Sequence, residues 1–165
     1  MALQFFNTLT RTQEDFVPQV PGQVKLYTCG PTVHDYAHIG NFRTYVFEDL
    51  LRRYLKFRGY EVTQVMNLTD VEDKIIRKSE AAGVHFLEYT KKYTEAFFAA
   101  LKSLNIEPAE HYPRATDFVD GMVEMIRDLL AKGIAYRSED GSIYFNIAKF
   151  PSYGQLANIH VQDLA

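Results

Sequence analysis

The residues of this sequence that can do chemistry are concentrated in one run, Cys29-Gly-Pro-Thr-Val-His-Asp-Tyr-Ala-His-Ile-Gly-Asn-Phe-Arg43. His38 and Asn41 stand three positions apart. On a helical turn they project from one face, where an imidazole and an amide can both donate to phosphate oxygens. Gly30 and Gly40 lack side chains, and Gly40 lets backbone approach a ligand closely at a point where the free N–H groups of a helix start suit a triphosphate. On residue types alone this is either a phosphate site or an ordinary helix start with capping and surface histidines. Cys29 is likewise either a small buried apolar residue at a strand end or one ligand of a metal site that needs about four. Thr69 is an N-cap or a group facing a ligand. Asp70, Glu72 and Asp73 fall in a first helical turn, where the helix dipole favours acids, and are assigned no metal. His34, His85, His111 and His160 are given no role.

These residues need elements to position them. Val24 to Thr28 is short, apolar and partly β-branched, and Gly30 and Pro31 punctuate its end, so it reads as a buried strand. After a loop from Thr32 to Ala37, a helix runs from about His38 to Arg58. Its apolar face is predicted from Phe42, Val46, Phe47, Leu50, Leu51, Tyr54 and Leu55. Arg52, Arg53, Lys56 and Arg58 read as the solvated face rather than a contact to nucleic-acid phosphates, and Gly59 ends the helix. Glu61 to Leu68 is a second strand, followed by a helix capped at Thr69 or Asp70 and ending at Gly83. Strand, helix and strand in this order predict a crossover in a parallel sheet, with both strand-to-helix junctions facing one crevice. A helix from about Phe86 to Leu104 and a short third strand, His111 to Thr116, follow.

Beyond Thr116 the pattern changes to a helix from about Asp117 to Lys132 and a hairpin of Ile134–Arg137 with Ser142–Ile147 across Asp140-Gly141. The fold class expected is therefore α/β, a Rossmann-type parallel sheet in 1-116 followed by an inserted or accessory element in 117-165. The stretch from Tyr153 to Ala165 shows no closing element of its own.

The chain of 165 residues is 47% hydrophobic, enough for a domain with a real core. A net charge of −3 gives no global basic field, so any RNA contact must come from a local patch. One cysteine excludes an internal disulfide, and no leader or run of ~18 apolar residues points to export or a membrane, so a reducing cytoplasm is expected.

His38-Ile-Gly-Asn41 resembles the HIGH signature of class I aminoacyl-tRNA synthetases, with Asn in the final position. Tyr27 to Asn41, Asn67-Leu-Thr-Asp-Val-Glu-Asp-Lys-Ile-Ile76 and Pro113-Arg-Ala-Thr116 match the cysteinyl branch in order and separation, and Tyr153-Gly-Gln-Leu156 extends the match. The resemblance implies a Rossmann-type nucleotide-binding fold with a connective insertion starting within 117-165. It implies activation of cysteine by ATP, with Mg, and transfer to tRNA. His38 and Asn41 would act on the phosphates with Gly30 and Gly40. Cys29 would be one of four zinc ligands and would contact substrate, as would Thr69. The remaining ligands and a lysine-rich KMSKS loop would lie downstream, so the 165-residue chain alone is expected to be inactive. Two alternatives accompany this reading: the cysteine-amino sugar ligase of mycothiol synthesis, and a non-catalytic nucleotide-binding module derived from a synthetase.

Overall fold

The computed structural model describes residues 2–159. They divide into a unit of residues 18–119 and a second unit of residues 2–17 with 120–159. The second unit opens with a hairpin not anticipated from sequence, Gln4–Asn7 (β1) paired antiparallel with Thr12–Asp15 (β2). Every residue of β2 is exposed, so no apolar alternation announces it. Its strands are tied instead by Gln4 to Asp15 at 2.7 Å and Asn7 to Glu14 at 2.9 Å, beside an edge-to-face pair of Phe5 and Phe16.

The unit of residues 18–119 carries the predicted strand, helix and strand. Gln23–Thr28 (β3) leads through a loop to Ile39–Phe57 (α1), and the chain returns as Glu61–Met66 (β4). β3 and β4 pair in parallel from Gln23 opposite Glu61 to Thr28 opposite Met66. Gly59, at φ +89°, reverses the chain after α1, and Tyr60 N–H closes the end on Leu55 O. Asp73–Ala81 (α2) and Phe86–Ser103 (α3) follow. The core sits between α1, β4 and α3, where Tyr45, Met66, Leu68, Phe97 and Leu101 meet and Tyr45 packs edge-on to Phe97 at 5.2 Å.

Four local readings are corrected. The inner face of α1 is Tyr45, Glu48, Arg52 and Leu55, while Val46, Phe47, Leu50 and Tyr54 are exposed. Arg52, expected on the solvated face, is only 3% exposed. It donates to Pro108 O at 2.6 Å and pairs with Glu110, so distant acceptors take the guanidinium's terminal N–H groups, while its Nε has no hydrogen-bond partner. Arg53 and Lys56 pair with Glu107. The N-cap position of α2 is Glu72, whose side chain makes no capping bond, and not Thr69 or Asp70; Asp70 is buried and accepts from both N–H and Oγ1 of Thr116, at 3.0 and 2.7 Å. Residues 111–114 run beside β4 through single parallel bridges, Val65 with His111 and Leu68 with Arg114, rather than as a continuous strand, because Pro113 offers no N–H to a ladder.

A 3-10 turn over Ala115–Phe118 ends the unit of residues 18–119, and Val119–Ala131 (α4) runs into the other unit and leads to Ala135–Arg137 (β5) and Ile143–Phe145 (β6), paired antiparallel. His160 and the residues after it lie outside the described residues.

Candidate functional site

The helix start is built by His38 and Asn41 together. His38 is the N-cap of α1, its Nδ1 accepting from Gly40 N–H at 3.0 Å while its own N–H donates to Asn41 Oδ1 at 3.1 Å. This reciprocal pairing has two consequences. The N–H groups of Gly40 and Asn41 are already used, the latter on His38 O at 2.9 Å, so they are not free for an anion. In exchange, both side chains are oriented. With Nδ1 accepting, the ring carries its hydrogen on Nε2, and with Oδ1 engaged, Asn41 has its NH2 to donate. A Cβ on Gly40 would stand 2.8 Å from His38 Cε1, so any other residue there would push the imidazole from its cap.

His38 and Asn41 line a cavity of about 490 Å³ with Gly30, Pro31, Thr32, His34, Asp35, Tyr36, Ala37 and Tyr45. Its size is that of a small-ligand pocket. Three of the sequence-derived positions, Gly30, His38 and Asn41, thus share one cavity. Tyr45 forms part of the wall as a neutral phenol. Burial, then the charges of Glu48 and Cys29, push it up to about 12.

The opposite wall is the loop 32–37, which α2 and α3 hold in place. Lys78 Nζ donates to His34 O at 3.3 Å and to Asp35 Oδ2 at 2.9 Å, and Tyr89 Oη donates to His34 O at 3.1 Å. The Lys78 bond, followed by that from Tyr36 N–H, holds the Asp35 carboxyl below its ordinary range. The Tyr36 ring packs on Tyr93 at 5.2 Å, and Lys92 Nζ lies 5.2 Å from both ring centres.

Beyond their last ladder pair the two strands stay joined at the first junction. Thr69 N–H donates to Pro31 O and Val33 N–H to Thr69 O, each at 3.0 Å. Gly30 N–H donates to Asn67 Oδ1 at 3.1 Å, and a Cβ on Gly30 would collide with the Asn67 carbonyl oxygen. Only glycine fits that crossing. Thr69 is half-buried beside it, and Cys29 is exposed, its thiol making one long contact with Gly30 O at 3.7 Å. The buried apolar reading of Cys29 is therefore wrong, as is the helix-cap reading of Thr69. Neither residue is among those lining the cavity. Among the described residues no three His, Cys, Asp or Glu side chains are grouped so as to hold a metal.

Sequence reasoning passed over Asn67, Lys78 and Tyr89. Asn67 stands in the same short run as Thr69, but its partner Gly30 is 37 positions away, and nothing local signals the pairing.

Comparison with known proteins places this geometry. Residues 15–165 match the family model for the class I (C) tRNA synthetase catalytic domain. A cysteine-tRNA ligase of Protochlamydia amoebophila is 56% identical over 162 residues, and one of Methanosarcina acetivorans is 49% identical over 162 residues; each match covers 98% of this chain and 34% of the relative. The chain thus spans about a third of the length of the curated relatives it matches. Among solved structures, LeuRS of Agrobacterium radiobacter in a ternary complex with tRNA and LeuAMS superposes with TM-score 0.62 at 24% identity, over 75% of this chain and 16% of that one. Methionyl-tRNA synthetase of Mycobacterium tuberculosis, in complex with methionyl-adenylate, gives 0.62 at 22% identity, over 69% and 23%. At such identities these two structures speak for the fold alone. The family match and the fold agree: the chain belongs to the class I (C) tRNA synthetase catalytic-domain family.

Proposed function

We propose that this chain contributes the phosphate-gripping part of a cysteine-activating site, in which ATP and cysteine give cysteinyl-adenylate and pyrophosphate, and cysteine is then passed to its tRNA. The observation that carries this reading is the paired capping of His38 and Asn41, which leaves Nε2–H and the amide NH2 as oriented donors at a cavity. The relatives' activity favours tRNA over an amino sugar as acceptor.

The first step needs no nucleophile from the protein. A substrate carboxylate oxygen bonds to the α-phosphorus as the bond to the bridging oxygen breaks and pyrophosphate leaves with the electron pair. The protein's task is alignment and stabilisation of charge growing on phosphate oxygens, which suits donors fixed beforehand. His38 and Asn41 take that role. Gly30 keeps the backbone slim at the cavity, Gly40 makes room for the His38 ring that lines it, and Mg accompanies the phosphates of ATP. Thr69 is read as a contact to the amino-acid substrate.

Cys29 fits the zinc reading to the extent that one donor can. Its thiol is exposed and weakly engaged, and zinc needs about four ligands. When bound, zinc would supply selectivity, since a metal that prefers sulfur rejects the hydroxyl of serine. Residues from 117 onward are read as the beginning of a connective insertion.

The test is cysteine-dependent pyrophosphate exchange by the full-length gene product. His38→Ala is expected to cost about 3 kcal/mol of transition-state stabilisation, roughly a hundredfold in rate, with little change in cysteine binding. His38→Ser keeps an N-cap while removing the imidazole donor, so it should lose rate without losing stability. An exchange rate unchanged in both variants rejects the role.

A further inference from the structure

The first junction contains a side chain that the adenylation chemistry leaves unexplained. Asn67 Oδ1 accepts from Gly30 N–H at 3.1 Å, and its Nδ2 donates to Thr69 Oγ1 at 3.3 Å. The orientation of the amide is forced, because a backbone N–H can only meet the oxygen. The nitrogen therefore faces Thr69, and one lone pair of that hydroxyl is occupied. Among the described residues the Thr69 hydroxyl makes no other hydrogen bond, so its O–H remains to donate.

We infer that Asn67 is a positioning residue that fixes Thr69 as a hydrogen-bond donor toward an anionic group of the amino-acid substrate, while the same amide holds the Cys29-Gly30 turn. This rests on the reading of Thr69 as a substrate contact. An ammonium group only donates, so the donor O–H of Thr69 is matched by the substrate's thiolate or carboxylate and not by its amine. The collision that any Cβ on Gly30 would make with Asn67 O shows how little room the turn has to move, and so how directly a change at Asn67 reaches Thr69.

Asn67→Asp separates the two duties. A carboxylate still accepts from Gly30 N–H, but it also accepts from Thr69, drawing the hydroxyl hydrogen away from the substrate. In pyrophosphate exchange by the full-length gene product, Asn67→Asp should raise KM for cysteine roughly tenfold or more and leave KM for ATP near its starting value. The new charge alone could also repel an anion, so the same change is made on Thr69→Val. If Asn67 acts through the hydroxyl, Asp in that background adds little; an equal penalty in both backgrounds overturns the proposal, as does an unchanged or lowered KM for cysteine in the single variant. Should Asn67→Asp fail to fold by thermal unfolding, Asn67→Ala with and without Thr69→Val reads the same coupling. Inhibition by cysteamine, which keeps the thiol and lacks the carboxylate, distinguishes the two acceptors: weaker inhibition in Asn67→Asp assigns the sulfur, unaltered inhibition the carboxylate. A wild type without exchange activity would defeat the functional reading itself, and a Thr69→Val variant with unaltered cysteine KM would defeat the role of Thr69, so each failure can be told from the others.

Discussion

At the scale of single residues, the inner face of α1 carries a carboxyl that the proposed reaction does not use. Glu48 is buried beside Thr28, and its Oε2 has no hydrogen-bond partner. Thr28 accepts from Gln64 Nε2 at 3.1 Å. Burial raises the Glu48 pKa and outweighs the neighbouring Thr28 hydroxyl, which acts in the opposite sense. The sign for stability follows directly. A folded state that holds its proton more tightly than the unfolded chain loses stability as pH rises from the ordinary carboxylate range, near 4, through the folded-state value. Glu48→Gln removes the charge that burial penalises. Its thermal unfolding midpoint should therefore exceed that of the parent at pH 7, and the difference should shrink as pH is lowered towards 4. A variant less stable than the parent at pH 7 would show that Glu48 is ionised and satisfied, contrary to the burial argument.

At the scale of elements, the loop 32–37 is held from outside by α2 and α3. Asp35 is exposed and Lys78 part-exposed, so solvent screens their pair and its contribution is bounded to that of a surface ion pair. That bound sets the prediction. In the full-length gene product Lys78→Met should raise KM for ATP by no more than about fivefold, with kcat less affected and Lys78→Arg restoring most of the loss. A hundredfold effect would mean that Lys78 touches the substrate. Elements of this kind were only partly legible in the sequence. The two parallel strands, α1 and α3 lie within a residue or two of their expected bounds, because strand composition, helical spacing and the glycines Gly59 and Gly83 are local signals. The His38 and Asn41 pair was visible for the same reason. The side of α1 that packs was not. Tyr45, Glu48, Arg52 and Leu55 recur at helical spacing just as Phe47, Leu50 and Tyr54 do, and the sequence favours the more apolar set. Arg52 is admitted to the interior by Pro108 and Glu110, more than fifty positions away, and Asn67 is explained only by Gly30. Hydrophobic periodicity cannot report such partners.

At the scale of the whole molecule, α1 presents an apolar stripe that the described residues leave uncovered. Phe47 and Leu50 are each 63% exposed and Phe57 is 83% exposed, with Tyr54 between them at the spacing of a packing face. Among the described residues β3 pairs in a ladder only with β4, so its other edge is open. Parallel sheets are normally covered on both faces and exposed apolar stripes seek cover, which gives opposite expectations for two polypeptides. The isolated 165-residue polypeptide should bind a hydrophobic dye and associate as its concentration rises. Leu50→Lys with Phe57→Lys should suppress both, leaving helix content unchanged because both side chains face solvent. This chain spans 34% of the length of the curated relatives it matches, so the full-length gene product is the second polypeptide to test. If additional chain covers the stripe there, burial of each side chain contributes about 1.5–3 kcal/mol, and the same two substitutions should lower the unfolding midpoint. Equal midpoints in the full-length parent and double variant, together with a monomeric, dye-silent isolated polypeptide, would show that the stripe is an ordinary solvated surface.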